Sequence, residues 1–318
     1  MKKIIRLTAA LLIAALALAG CGPLVSDDER ELSVYASFYP IYALTEALTR
    51  DVPRMSVHCL VQPQDQCLRA YALSDWDAAL LRTSADAVLL GGRGLESFES
   101  TLFSWGSDGP AVSAVLYNLE LYNRSTSHAQ AEGESHLEGQ NPHLYMSIDG
   151  ARDLLVSLSA ALETLDPRYA ETYAANAAAA SEALDALKMQ TTELLEGCSG
   201  RKVALMNEAL IYVARDYGLD VAAWIDRESG VDLYDAELEE CLDVLAASGA
   251  EAVLIERQAP IALVDALKAA GFPVACIDIL STHREGEGFD AYVQAQRENA
   301  EAIRRALGHS DQKTGGQP

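Results

Sequence analysis

Short β-rich runs alternate with amphipathic helical stretches along most of this 318-residue chain, and this alternation constrains the fold more than any other feature. The β-rich runs lie at residues 32–37, 55–61, 87–90, 111–117, 202–206, 220–224, 252–256 and 273–278. The helical stretches that follow them lie at residues 41–48, 75–81, 95–105, 209–216, 236–247, 261–270 and 292–307. Strands that alternate with helices predict parallel sheets covered by helices on both faces.

Two helical stretches with no strand between them, at residues 148–162 and 167–195, separate the first four β-rich runs from the last four. The second is rich in Ala and begins with Pro167, which the first turn of a helix tolerates. At about 1.5 Å per residue it is long enough to cross a whole domain. We therefore predict an α/β fold of two lobes, each with a mostly parallel four-stranded sheet and flanking helices, joined by one long linker helix.

The predicted boundaries follow from these stretches and from the polar segments at either end. They are 1–20 for a signal peptide, 21–31 for a tether, 32–165 for the N-terminal lobe, 166–197 for the linker helix, 198–308 for the C-terminal lobe and 309–318 for a disordered tail. Ser74 and Asp77 have the spacing of a capping box, which predicts that a helix begins there. Because parallel sheets bind ligands beyond the carboxyl ends of their strands, we expect the binding site in the cleft between the lobes.

The N-terminus has the pattern of a secretory signal. Lys2, Lys3 and Arg6 precede an apolar run at residues 7–19, which is shorter than the roughly 20 residues that span a bilayer. The run ends in Leu-Ala-Gly-Cys at Cys21, which resembles the lipobox of bacterial lipoproteins. This resemblance implies cleavage before Cys21 and acylation of its thiol. We expect a protein anchored by lipid to the extracytoplasmic face of the cell membrane.

Charge and motif content exclude several classes of function. The chain has 24 Lys and Arg against 47 Asp and Glu, a formal net charge of −23. A surface with this excess of negative charge repels phosphate backbones. Nucleic acid is therefore not an expected partner. The sequence has no Gly-x-Ser-x-Gly elbow, no His-Glu-x-x-His helix and no phosphate-binding loop, and we predict that it is not an enzyme.

Several motifs resemble one known family, the solute-binding lipoproteins of zinc and manganese ABC importers. The motifs are Ala-Ser-Phe-Tyr-Pro at residues 36–40, Asn-Pro-His-Leu-Tyr at 141–145, the start of the long helix at 165–176, and Tyr-Val-Ala-Arg-Asp-Tyr-Gly-Leu at 212–219. The resemblance covers residues 32–307. It implies a monomer that binds zinc, or manganese, as its transported ligand, delivers it to an ABC permease and has no catalytic cofactor.

The resemblance also implies four metal ligands, and only two are present. His143 matches the ligand after the polar insertion, and Asp278 matches the carboxylate after the last strand. Arg69 matches the first-lobe histidine, but an arginine has no lone pair to donate to a metal. Asn207 matches the third ligand and offers only an amide oxygen, which suits hard cations better than zinc.

Other side chains could replace the missing ligands. Glu208 adjoins Asn207, Glu256 ends a predicted strand, and His283 follows Asp278 by five residues. The insertion at residues 123–140 contains His128 and His136 and corresponds to the family's metal-attracting loop. Each of these residues could equally be an ordinary polar group of a loop or a helix cap. An alternative is that the metal site is lost and that Arg69 binds a small anionic or zwitterionic solute.

The cysteines fit an exported protein. If Cys21 is acylated, five remain, and Cys59 and Cys67 bracket the loop that leads into Arg69. In an oxidising compartment a disulfide between these two is expected to fix that loop. The odd count leaves at least one of the other thiols (Cys198, Cys241 and Cys276) without an intramolecular partner.

Overall fold

The structure is a computed structural model that describes residues 30–62, 68, 71–122, 140–225, 227, 231–281 and 285–314. Several residues singled out by the sequence lie outside the described residues: the signal peptide with Cys21, and Cys67, Arg69, His128, His136 and His283.

The N-terminal lobe is built on a parallel sheet of four strands. The strands are β1 (Leu32–Ala36), β2 (Met55–Cys59), β3 (Ala87–Leu90) and β4 (Ala111–Ala114), in the order β2-β1-β3-β4. The helices that follow the first three are α1 (Tyr39–Leu48), α2 (Asp75–Ser84) and α3 (Glu99–Ser104). Every residue of β3 is buried, as expected for a central strand with helices on both faces.

The C-terminal lobe repeats this topology. Its strands are β5 (Lys202–Leu205), β6 (Asp220–Trp224), β7 (Ala252–Glu256) and β8 (Val274–Ile277), all parallel and in the order β6-β5-β7-β8. The helices are α6 (Leu210–Asp216), α7 (Asp235–Ser248), α8 (Ile261–Ala269) and α9 (Phe289–Thr314). The prediction of two lobes with parallel four-stranded sheets is confirmed.

Two helices separate the two sheets along the chain, α4 (Ile148–Leu165) and α5 (Ala170–Leu194). A short 3₁₀ turn, Pro167–Tyr169, leads into α5, and the Asp166 side chain caps that turn. The 25 residues of α5 extend over about 37 Å at 1.5 Å per residue. Its Tyr173, Leu184 and Leu187 are fully buried in a core that continues from one lobe into the other.

Local sequence signals explain where several elements begin and end. Ser74 accepts a hydrogen bond from Asp77 N, and Asp77 accepts one from Ser74 N, so the predicted capping box at the start of α2 is confirmed. The strand β4 ends at Ala114 rather than at residue 117, because the chain turns into a 3₁₀ helix over Val115–Asn118.

The C-terminal end differs from its prediction. Helix α9 continues through Thr314, six residues beyond the predicted end of the lobe at residue 308, whereas the domain boundaries themselves stay a prediction. A helix that is anchored by packing along its first turns can extend into polar sequence that has no apolar periodicity of its own. Among the described helices, none is long and apolar enough to cross a membrane.

Candidate metal site between the lobes

His143 lies on a short segment that leads into α4. Ser147 caps α4 by accepting a hydrogen bond from Gly150 N. A Cβ on residue 150 would lie 2.5 Å from the Leu144 carbonyl oxygen, so only glycine allows this turn to pack against the residue beside His143. The segment is therefore tightly packed, and His143 itself is buried.

The hydrogen-bonding pattern of Asn141 determines the tautomer of His143. The Asn141 amide nitrogen donates to the Glu208 carbonyl oxygen at 2.7 Å, which identifies the other amide atom as the acceptor Oδ1. That oxygen lies 2.8 Å from His143 Nδ1 and 3.1 Å from His143 N. The hydrogen of the neutral imidazole is therefore on Nδ1, and its lone pair is on Nε2. This is the arrangement in which a hydrogen bond to one ring nitrogen prepares the other to ligate a metal.

Side chains of the C-terminal lobe also form hydrogen bonds with the segment that contains His143. Tyr212 of α6 donates to the Asn141 carbonyl oxygen at 2.6 Å, and burial raises the pKa of its phenol to about 12. At the end of α6, Asp216 accepts hydrogen bonds from Ser147 Oγ at 2.7 Å and Ile148 N at 2.8 Å. A carboxylate of one lobe thus caps the N-terminus of a helix that belongs to the other lobe.

Glu208 is the carboxylate beside His143, with Oε1 3.8 Å from His143 Nδ1 and a side chain that is 23% exposed. Its neighbour Asn207 is engaged differently, because the Asn207 side-chain oxygen accepts a hydrogen bond from Ala209 N at 2.9 Å. The amide oxygen that the sequence offered as a metal donor therefore already helps to start α6.

Asp278 is buried immediately after β8. Asn299 of α9 fixes its backbone with two hydrogen bonds, accepting from Asp278 N at 2.7 Å and donating to Asp278 O at 2.9 Å. The Asp278 carboxylate accepts a hydrogen bond from Leu280 N on Oδ1, at 2.7 Å, and pairs with Arg257 through Oδ2, 3.1 Å from Nη1. The matched carboxylate thus lies in a defined position but is ion-paired.

Glu256, at the end of β7, forms an ion pair with Arg227. Both side chains are almost completely buried, at 0% and 2% exposure. The guanidinium also donates to the Val231 carbonyl oxygen. Glu256 is therefore buried and ion-paired, and its role as a replacement metal ligand stays a prediction.

The described residues do not form a complete metal site. Within the ranges that the structure describes, no three His, Cys, Asp or Glu residues meet in a group that could hold a metal ion. His143 and Asp278 are described, whereas Arg69 and His283 are not. Cys59 is a buried free thiol whose Sγ lies 3.3 Å from the Val61 carbonyl oxygen. Cys67, its predicted disulfide partner, lies outside the described residues, so that pairing stays a prediction.

Two arginines of the site region were missed by the sequence analysis. A signal existed for Arg257, because it directly follows Glu256 at the carboxyl edge of a predicted parallel sheet, where Asp278 was expected too. There was no such signal for Arg227. It follows β6, which is not adjacent to β7, the strand that ends in Glu256, because β5 lies between them in the sheet.

Comparison with known proteins identifies the family. Residues 34–306 match the family model described as ZnuA, zinc-uptake complex component A, periplasmic. The chain belongs to this family. Its members are substrate-binding components of metal uptake systems and are not enzymes. The expected resemblance, and a transported metal rather than a catalytic cofactor as the family's ligand, are therefore confirmed.

Curated members of the family are distant relatives of this chain. It is 28% identical to the iron-binding protein YfeA of Yersinia pestis over 216 residues, which cover 67% of this chain and 65% of YfeA. It is 24% identical to the zinc-binding lipoprotein AdcA of Streptococcus pneumoniae over 316 residues, which cover 96% of this chain and 61% of AdcA. The chain thus spans less than two thirds of the length of these relatives.

Solved structures of metal-bound proteins share the fold. The solute-binding protein FpvC of Pseudomonas aeruginosa in complex with Ni²⁺ has a TM-score of 0.73 at 22% identity, covering 91% of this chain and 100% of FpvC. The Zn(II)-bound ZnuA-like domain of S. pneumoniae AdcA has a TM-score of 0.70 at 22% identity, covering 87% of this chain and 99% of the domain.

Proposed function

We propose that this protein is the extracytoplasmic, lipid-anchored receptor of an ABC importer, and that it captures a divalent metal ion between its lobes and delivers it to the permease. Zinc is the proposed cargo in preference to manganese. The observation that carries the proposal is the orientation of His143, whose Nδ1 donates to Asn141 and whose lone pair is therefore on Nε2.

The proposed donors come from both lobes. His143 belongs to the N-terminal lobe, and Asp278 and Glu208 belong to the C-terminal lobe. An imidazole nitrogen with carboxylate oxygens is a donor set that suits zinc. Because no single lobe supplies all of them, metal capture would stabilise the closed arrangement of the two lobes.

Metal titration of the purified mature protein tests the proposal. After removal of metal with a chelator, we expect one equivalent of zinc to bind with a Kd below about 1 μM, more tightly than manganese. Zinc at a hundredfold excess over Kd should stabilise the fold by about 2.7 kcal/mol, because it binds only the folded state. The measurements are competition with a chromophoric chelator, elemental analysis and thermal unfolding. Absence of any bound metal, together with saturable binding of a small carboxylate, would support the anionic-solute alternative that uses Arg69.

Membrane attachment is proposed to require Cys21. Substitution Cys21→Ala should abolish incorporation of a palmitate analogue in cells, because the acyl chains attach at this residue. Substitution Cys59→Ala is the matched control, since Cys59 is a buried thiol of the folded lobe, and it should leave labelling unchanged. Equal labelling of the Cys21→Ala protein and the wild type would contradict the lipid anchor.

A further inference from the structure

We propose that Arg257 is a built-in competitor of the transported cation for Asp278 and thereby sets the affinity of the site. This inference rests on the proposed function, because it concerns how the same site releases and captures its cargo. Arg257 follows Glu256 at the carboxyl end of β7, and Asp278 follows β8, the adjacent strand. The two side chains therefore meet at the sheet edge that faces the cleft.

The ion pair engages the oxygen of Asp278 that a metal would need. Oδ1 already accepts a hydrogen bond from Leu280 N at 2.7 Å, within the turn that follows β8. Oδ2 lies 3.1 Å from Arg257 Nη1. A guanidinium at this distance directs a proton and a positive charge at the oxygen, so it opposes a divalent cation that approaches the same atom. Arg257 and the metal therefore compete for Asp278.

A second carboxylate gives Arg257 a position to occupy when the metal is bound. Arg257 Nη2 lies 3.3 Å from Glu298 Oε2 on α9. Glu298 is held by Gln294, whose Nε2 donates to Glu298 Oε1 at 3.0 Å. The hydrogen bonds from Gln294 and from Arg257 keep the pKa of Glu298 below its usual value. Arg257 can therefore release Asp278 and remain paired with Glu298, which avoids an isolated charge in the metal-bound state.

Exposure distinguishes Arg257 from the other arginine at this sheet edge. The Arg257 side chain is 46% exposed and that of Glu298 is 42% exposed, so both can move toward solvent. Arg227 is 2% exposed against a fully buried Glu256. The Arg227–Glu256 pair is thus a fixed part of the core, whereas the Arg257–Asp278 pair joins a buried carboxylate to a partly exposed cation that can exchange partners.

Competition of this kind lowers the affinity for every cation by the same factor. The affinities for weakly held ions such as Mg²⁺ and Ca²⁺ then become too low for binding. The affinity for zinc stays high enough, because zinc binds nitrogen and oxygen donors more strongly. Arg257 would also assist release, because it can return to Asp278 as the metal leaves.

Two substitutions with opposite expected effects test the inference by zinc titration of the full mature chain. Substitution Arg257→Gln should tighten zinc binding about tenfold, equivalent to about 1.4 kcal/mol, because Asp278 loses its competitor. Substitution Glu298→Gln should weaken zinc binding about threefold, because Arg257 loses its alternative partner. In the Arg257→Gln background, Glu298→Gln should have no further effect.

The controls make the same two changes of charge at another Arg–Glu ion pair, which lies on α9. Arg305 and Glu301 form an exposed ion pair, with Nη1 3.4 Å from Oε2, and Arg305→Gln and Glu301→Gln should each leave zinc affinity within twofold of wild type. Wild-type zinc affinity in the Arg257→Gln protein would overturn the inference and leave the proposed function intact. Absence of zinc binding in both the wild type and Arg257→Gln would overturn both. An equal gain in Arg257→Gln and Arg305→Gln would reduce the effect to net charge and overturn the inference.

Discussion

Substitution His143→Ala is expected to weaken zinc binding by about a hundredfold, or about 2.7 kcal/mol. His143 is the proposed nitrogen donor, and the structure orients it through Asn141, which accepts from Nδ1 at 2.8 Å. Loss of a residue that merely orients a ligand typically costs ten- to a hundredfold in metal affinity, and loss of the ligand itself should cost at least as much. The measurement is chelator competition on the metal-free protein.

The matched control for this prediction is His58→Ala. His58 lies on the edge strand β2, where Nδ1 is 3.2 Å from Glu285 Oε1 and the ring packs against Tyr35. It is also a histidine near the interface of the lobes, but it has no proposed contact with the cargo. Zinc affinity should change less than about threefold in His58→Ala. Equal losses in the two variants would show that His143 has no specific role in binding.

Substitution Glu256→Gln is expected to lower the free energy of unfolding by about 3–5 kcal/mol. Removal of one partner from a buried ion pair leaves the other charge buried with less compensation, and this penalty exceeds what the pair contributes while intact. The Arg227 and Glu256 side chains are 2% and 0% exposed, so water cannot replace the lost carboxylate. Glutamine keeps the size of the side chain, so the expected loss reflects charge and not a cavity.

Chemical denaturation of the metal-free protein measures this effect. The double substitution Arg227→Met with Glu256→Leu should recover most of the lost stability, because replacement of a whole buried pair by apolar residues is often neutral or favourable. Glu301→Gln, at an exposed ion pair of α9, should cost less than about 1 kcal/mol. A loss in Glu256→Gln as small as that in Glu301→Gln would contradict the structural role of the buried pair.

Periodicity predicted the elements well, for an identifiable physical reason. Central strands such as β3 and β7 are buried along their whole length, so their residues are almost all apolar and form runs that a sequence reveals directly. The bounds of β6 and β7 agree with the predicted residues 220–224 and 252–256. The polar end of α9 could not be predicted in this way, because it has no apolar face over residues 309–314.

The candidate site was less predictable, because its chemistry depends on pairs that are distant in sequence. Motifs predicted His143 in one lobe and Asp278 in the other. The pairing of Asp278 with Arg257 could not be predicted from motifs, because it depends on β7 and β8 being adjacent strands of the sheet. Arg227 reaches Glu256 from the segment after β6, across the position of β5. No local spacing encodes such a contact. The role of Arg69 stays a prediction, because that residue lies outside the described residues.

The attachment of the His143 segment to α6 restricts how the two halves of the gene can diverge. Tyr212 and Asp216 are encoded with the second lobe, yet they hold the backbone on both sides of His143. A chimaera that joins this first half to the second half of another family member would keep the histidine but would orient it only if a phenol and a carboxylate stood at the equivalent positions. Substitutions in α6 and in residues 141–148 are therefore expected to be inherited together rather than exchanged one lobe at a time.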